Sequence, residues 1–162
     1  MIKLTPFTET EFEEYRRQGI VRYAEENVKA GFWNPAEAIE KSRAAHEALL
    51  PQGLATPHQY LFSIREPETG EQVGTIWLSA DYESAIPSGF IYDLFIFEPF
   101  RRKGFATQAM LALEDKAKEL GLPVLYLHVF AHNPAARSLY DKLGYGVKST
   151  NMAKPLSAGK EK

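Results

Sequence analysis

"GFIYDLFIFEPFRRKGFATQAM", residues 89–110, decides how the rest of the chain is read. Residues 89–96 are apolar apart from Asp93, as in a strand buried on both faces. Glu98 and Pro99 interrupt that run, and Arg101, Arg102 and Lys103 then stand in a row before Gly104. From Phe105 the apolar residues recur at helical spacing through "LALEDKAKEL" to Gly121, a good C-terminal stop. The order is therefore buried strand, basic glycine-containing turn, long helix.

A helix that begins near Gly104 leaves its first backbone N–H groups without carbonyl partners. Those donors, together with the helix dipole, suit a phosphate or pyrophosphate. Gly104 and Ala106 keep side chains out of the way, while Arg101 and Arg102 can each give an anion two hydrogen bonds and Lys103 a point charge. A solvated basic turn fits "RRKG" alone equally well; the strand–turn–helix setting favours the anion site. The nucleoside-triphosphate pattern G-x-x-x-x-G-K-[ST] is absent, and so is the dinucleotide pattern G-x-G-x-x-G.

Outward from this unit the chain alternates helices and strands. "TETEFEEYRRQGIVRYAEENVKAG" opens with Thr8 or Thr10 as N-cap, and "NPAEAIEKSRAAHEALL" is a second helix with Asn34 as its cap. "HQYLFSIRE" and "QVGTIWLSADY" read as a hairpin turned by "PETG". Beyond the long helix, "LPVLYLHVFA" reads as a buried strand, and "NPAARSLYDKLG" as a short helix capped by Asn133. "YGVKSTNMAK" reads as a last strand and "PLSAGKEK" as a frayed tail. The central strand–helix–strand unit requires a right-handed crossover between parallel neighbours. The fold class is α+β with a mixed sheet, in one domain over residues 1–154 followed by a flexible tail, 155–162.

The chain has 162 residues, enough for one sizeable core, with 44% apolar and 25% charged residues. A formal net charge of -2 argues against nucleic acid or an anionic membrane as the main partner. With no cysteine there is no disulfide, thiolate metal site or cysteine nucleophile. No stretch approaches the ~18 consecutive apolar residues of a membrane span, and the N-terminus lacks a signal-peptide pattern. The expectation is a cytoplasmic protein. His46 and His58 lack metal-ligand spacing to any other His or acid cluster, so no metal is expected.

"DLFIFEPFRRKGFATQAM" resembles the acetyl-CoA signature of the GNAT family of N-acetyltransferases, R/Q-x-x-G-x-G/A, with Arg101, Gly104 and Ala106 at its fixed positions. Ala106 stands where glycine is commoner. "LYLHVFAHNPAARSLYDKLGYG" resembles the family's second half, with Asn133, Ala136, Leu139, Tyr140, Gly144 and Tyr145 matching at the right separation. The two stretches cover roughly residues 90–146. The resemblance implies a mostly antiparallel sheet with helices on both faces and a central pair of parallel strands that splay. The pantetheine arm of acetyl-CoA would pair with the backbone around Leu94 and Ile96. The turn Arg101, Arg102, Lys103, Gly104, Phe105, Ala106 and Thr107 would hold the pyrophosphate. Asn133 is a further cofactor contact by resemblance, Ala136 matches the motif, and Arg137 either reaches the cofactor or is solvated.

Acetyl transfer to an amine needs a deprotonated amine, a polarised thioester carbonyl and a proton for the departing thiolate. No enzyme nucleophile is needed if the amine attacks directly. By resemblance Tyr140 is the general acid, against a packing role as a core aromatic. The base is open. His128 has a reference pKa of ~6.5 that suits the task, and it matches the position of a glutamate in ribosomal-protein N-terminal acetyltransferases; a hydrogen-bonded core histidine is the competing reading. Asp93 is the one charge in an apolar strand and needs a partner or a purpose. By resemblance to polyamine acetyltransferases it holds a cationic amine or acts through water; otherwise it is a structural acid satisfied by backbone N–H groups.

The reading is an acetyl-CoA-dependent N-acetyltransferase acting on a primary amine of a small molecule in a ternary complex. A protein acetyltransferase with a peptide acceptor is the near alternative, and a non-catalytic acyl-CoA-binding module the more distant one. Trp33, Trp77, Tyr82 and Tyr92 could line an acceptor pocket or belong to the core. Homodimers are common in the family, and no interface is legible.

Overall fold

The computed structural model describes residues 1–156. Strand β1 (Lys3–Pro6) leads into helices α1 (Glu9–Lys29) and α2 (Ala38–Leu49). Strands β2 (Gln59–Arg65), β3 (Gln72–Asp81) and β4 (Ser88–Ile96) follow, then helix α3 (Phe105–Glu119), strand β5 (Leu125–Leu127) and helix α4 (Pro134–Lys142). The sheet order is β1-β2-β3-β4-β5, antiparallel except for the pair β4–β5. The sheet is mixed, as the order of elements in the sequence requires.

Local chemistry explains several boundaries. Thr8, rather than Thr10, caps α1. Its hydroxyl accepts from the Glu11 N–H at 3.1 Å, and the Glu11 carboxylate accepts from the Thr8 N–H at 3.0 Å, a reciprocal capping box. Gly19 does not break α1. A Cβ there would lie 3.5 Å from His46 Nε2, an ordinary contact, so the packing of α2 against it leaves room for a methyl group. Asn34 caps a turn through the Ala36 N–H at 2.9 Å, and α2 itself starts four residues later at Ala38.

Two apolar layers flank the sheet, as period-2 alternation dictates. On one face Ile64, Ile76, Leu78 and Ile91 pack with Ala109, Met110, Leu113 and Ala117 of α3, and Tyr140 of α4 and Leu143 just beyond it cover their margin. On the other, Leu61 and Trp77 pack with Phe12 and Tyr15 of α1 and with Leu50 just beyond α2. Each fully buried aliphatic contributes about 1.5–3 kcal/mol before the entropy of ordering is subtracted.

Strand β4 departs from the expected two-sided burial. Trp77 pairs with Asp93 and Leu78 with Ile91, so Tyr92 is an extra residue in a β-bulge. A bulge turns two consecutive side chains to one side: Tyr92 lies against Trp77, with centroids 4.8 Å apart, and Asp93 meets α1. Tyr92 is exposed.

The end of the sheet also differs from expectation. Residues 145–154 form no strand, and β5 is a three-residue, partly exposed edge strand rather than a long buried one. With no chain beside it among the described residues, β5 gains ladder bonds on one side only. The parallel pair therefore ends the sheet instead of occupying its centre. Its register covers only Gly89–Ile91 of β4 against Leu125–Leu127. Beyond Ile91 the two strands part, and Tyr92–Ile96 has a ladder partner only on the β3 side. Of the expected tail, Pro155 and Leu156 are exposed, and residues 157–162 lie outside the described residues.

Candidate active site

At the end of β4 the chain makes a short 3-10 turn, Glu98–Phe100, and enters the basic segment. Arg102 has φ +64° and Gly104 φ +84°, both left-handed, a conformation that favours glycine. A Cβ on Gly104 would meet nothing nearer than Gln108 Nε2 at 3.9 Å, so the turn demands glycine for its backbone angle rather than for space inside the protein. Gly104 is the N-cap of α3 and offers no side-chain cap. The first-turn N–H groups are left as donors, with exposed Arg102 and Lys103 beside them.

Arg101 is partly committed elsewhere. Its Nε donates to the Ile96 carbonyl at 2.8 Å and its guanidinium lies 5.1 Å from the Phe95 ring centre, so it braces the turn against the end of β4. Thr107 is exposed, while Phe105 and Ala106 pack partly on the α3-side core. Leu94 joins that core too, so its side chain anchors β4 while the backbone on its β5 side lacks a ladder partner. Across the gap, Asn133 Oδ1 accepts from the Ala136 N–H at 3.2 Å and fixes the start of α4. Exposed Arg137 pairs with Asp141 at 3.1 Å.

Asp93 is satisfied by side chains, not by backbone N–H groups. Its carboxylate accepts from the Tyr15 hydroxyl at 2.9 Å and from Arg22 at 3.1 and 3.4 Å. The Arg22 guanidinium also sits 3.9 Å from the Phe95 ring centre, a stacked cation held in a partly desolvated place. Burial, with the adjacent Asp93 charge, pushes the Tyr15 hydroxyl well above its ordinary range. Asp93 is thus held in a fixed pose by two residues of α1.

Tyr140 lies where that charge is felt. Burial first, and then the Asp93 carboxylate, push its hydroxyl up to about 12. The ring packs on the α3-side core and meets Tyr145 edge-on at 6.0 Å. Among the described residues its hydroxyl has no hydrogen-bond partner, whereas that of Tyr145 donates to Glu114 at 3.0 Å. His128 falls just past the end of β5 and is exposed, so it is not a buried core histidine. It meets Phe130 edge-on at 4.8 Å, and no contact joins it to Asp93 or Tyr140. The Asp93 charge is thus felt at Tyr140, and no contact links His128 to either.

Sequence reasoning missed the wall that α1 contributes. Tyr15 and Arg22 are seven residues apart, two helical turns, and so share a face; a lone acid in an apolar strand should have prompted a search for such a cation. It also missed a bridge across the gap. His132 Nε2 and Glu26 Oε2 are 2.8 Å apart, the His132 ring stacks on Phe130 at 5.2 Å, and Phe130 meets Phe32 at 6.4 Å. Tyr23 meets Trp33, and Phe90 and Tyr92 form a further aromatic pair over buried Trp77.

A bulged strand that loses its parallel neighbour beside a glycine-started helix defines the class. The acetyltransferase (GNAT) family model matches residues 25–145. This chain belongs to that family. It is 43% identical to Bacillus subtilis YycN, described as an uncharacterized N-acetyltransferase, over 96% of this chain and 99% of the relative. Identity to YdgE of the same organism, described in the same words, is 40% over 94% and 97%. The crystal structure of YycN superposes with a TM-score of 0.93, covering 97% of this chain and 99% of the other. An acetyl transferase from Pyrococcus furiosus, at 23% identity and a TM-score of 0.68 over 96% and 100% of the chains, shares the fold. Among the described residues no group of three or more His, Cys, Asp or Glu could hold a metal ion, and no helix is long and apolar enough to cross a membrane.

Proposed function

We propose that the protein transfers the acetyl group of acetyl-CoA to a primary amine, by direct attack within a ternary complex, and that the acceptor is a small molecule. The observation that carries this reading is the half-paired β4. Its segment Tyr92–Ile96 has no ladder partner on the β5 side, runs into the Arg101–Thr107 turn, and bears the acid whose charge reaches Tyr140.

The residues present fit the coenzyme. The backbone of Leu94 and Ile96 offers an edge for an amide-bearing arm. Arg102, Lys103 and the first N–H groups of α3 suit a pyrophosphate, with Arg101 bracing the turn. Bound there, acetyl-CoA supplies an acyl group activated as a thioester. Tyr140 keeps its proton on Oη throughout the neutral range, the form needed to protonate a departing sulfur. Asp93, already holding Tyr15 and Arg22, orients the centre and disfavours ionisation of Tyr140. Exposed His128, or water, is then the better candidate to accept the amine proton. The absence of cysteine agrees with direct attack.

Acceptor size follows from the bridge. The Glu26–His132 pair and the Phe32–Phe130 contact join α1 and the α1–α2 loop to the β5–α4 loop, narrowing the approach for an extended peptide. The aromatic surface beside Asp93 favours an amine with an apolar body. Calorimetry with acetyl-CoA tests the reading: wild type binds and Gly104→Glu does not. A screen of small amines for thiol release by wild type then identifies the acceptor. A folded wild-type protein that does not bind acetyl-CoA overturns the proposal.

A further inference from the structure

Of the four α-helices, only α4, the one that carries Tyr140, buries no residue completely. The strand before it gives little support, since β5 ends at Leu127 after three residues. Tyr140 and, just past the helix, Leu143 rest on the margin of the α3-side core. Two side-chain pairs flank the helix. Ahead of the cap Asn133, His132 Nε2 lies 2.8 Å from Glu26 Oε2 of α1, and a bond to a carboxylate puts the ring proton on that nitrogen. Behind the helix, the Tyr145 hydroxyl donates to Glu114 Oε2 of α3 at 3.0 Å. The Tyr145 N–H also donates to the Tyr140 carbonyl at 3.0 Å, and its ring meets the Tyr140 ring edge-on. Among the described residues neither Glu26 nor Glu114 bonds another side chain. Because α1 and α3 pack on opposite faces of the sheet, α4 is tied at one end to one face and at the other end to the opposite face.

We propose that Glu26, His132, Glu114 and Tyr145 are positioning residues for acetyl transfer, the two pairs fixing the ends of α4 and so holding Tyr140 in place, an assignment that rests on Tyr140 being the general acid. A general acid must stand within about 2.6–3.2 Å of the atom it protonates, so a helix with no buried residue needs its ends held. The Tyr145 pair acts at the Tyr140 end, through the main-chain bond and the edge contact. The His132 pair stops the far end from swinging, across roughly 12 Å of helix. Each pair joins a carboxylate to a neutral or cationic donor, the stronger kind of hydrogen bond. Neither touches the turn at Gly104, so loosening α4 leaves the phosphate-binding groups of α3 where they are.

The test reads amide exchange and tyrosine absorbance in the full chain. Tyr145→Phe keeps the ring and deletes the hydroxyl, and Glu26→Ala deletes the other carboxylate. Each should speed exchange over α4 by about five- to tenfold, the scale of one lost hydrogen bond, while α3 stays within about twofold of wild type. In the double variant the two factors should multiply, since the pairs sit at opposite ends. Glu26→Gln still accepts from His132 Nε2–H and should keep most of the protection. Tyr140 ionisation, read as the difference from the same protein carrying Tyr140→Phe, should move below the wild-type value of about 12 in both single variants, because looser packing returns water to the hydroxyl. Unchanged exchange over α4, a Tyr140 midpoint that does not move, or a Glu26→Gln variant as fast as Glu26→Ala overturns the proposal. Neither readout uses acetyl-CoA, so a protein that does not bind acetyl-CoA is told apart from one whose α4 is held in another way.

Discussion

The half of the molecule from β4 to α4 and the half from β1 to β3 build the candidate site by different rules. In the first, the working parts are main chain: a free strand edge, a left-handed turn and the start of a helix. In the second they are side chains brought from far apart. Tyr15 and Asp93 are separated by 78 positions, Arg22 and Asp93 by 71, and Glu26 and His132 by 106. A site made of backbone needs small residues at fixed intervals and leaves a motif. A site made of distant side chains leaves none, because each needs only to stand on the correct face of its own element.

The sharpest way to break this comparison is at Tyr140, the side chain of the main-chain half proposed as the general acid. Tyr140→Phe is expected to lower kcat by about 10²–10⁴-fold while leaving the acetyl-CoA Kd within a few-fold of wild type. Thiol release and calorimetry on the same preparations measure the two. Parallel losses in both would reduce Tyr140 to a packing residue.

Two glycines separate packing from conformation. At Gly74 in β3 a Cβ would sit 2.3 Å from the Phe95 carbonyl oxygen and 3.1 Å from Ile96, with backbone in the way. Gly74→Ala should cost about 3 kcal/mol, the upper end for overpacking, read as a drop in the urea midpoint. At Gly104 there is room, and Gly104→Ala should cost only about 1–2 kcal/mol for its left-handed backbone. Equal losses at the two positions would show that the turn is packed, contrary to the distances.

How much of this was legible beforehand follows the same division. The turn, its glycine, Tyr140 and Asn133 carry a spacing, and the strand–helix–strand order fixed a mixed sheet. The bulge at Tyr92 was not legible, because "FIYDLFIF" is apolar on both registers and its alternation gives no sign of the extra residue. The single acid within it did carry a signal, since a charge there requires a partner, but nothing local says that the partner is on α1. The missing last strand was misread for a related reason: residues 145–154 have strand-like composition, and pairing depends on a neighbour that propensity cannot supply.

On β4, against the side-chain half, Tyr92 offers a smaller test. It is 40% exposed, lies tilted against Trp77 and belongs to the aromatic surface on the proposed acceptor side. Tyr92→Ala should raise the KM for the amine by about tenfold, the scale of one lost apolar contact, without changing that for acetyl-CoA. A change in both would place Tyr92 in the shared frame of β4 rather than in acceptor recognition.

The finest test asks whether the two halves communicate. Tyr140 is raised from 10.0 to about 12 by burial first and the Asp93 charge second. Asp93→Asn removes the charge and leaves the burial, so the pKa should fall but stay above 10. Because the folded value lies above the unfolded one, the stability tied to neutral Tyr140 is fully present below pH 10. It is lost as pH rises from 10 to about 12. In Asp93→Asn that loss should finish at lower pH, and the alkaline limb of the rate profile should move down with it. Urea midpoints from pH 8 upward, with Tyr140→Phe as the reference lacking this hydroxyl, isolate the effect from the separate cost of leaving Arg22 unpaired. An alkaline limb that does not move would mean that the carboxylate fixed by α1 is not felt at Tyr140, and that the side-chain half positions the acceptor without tuning the acid.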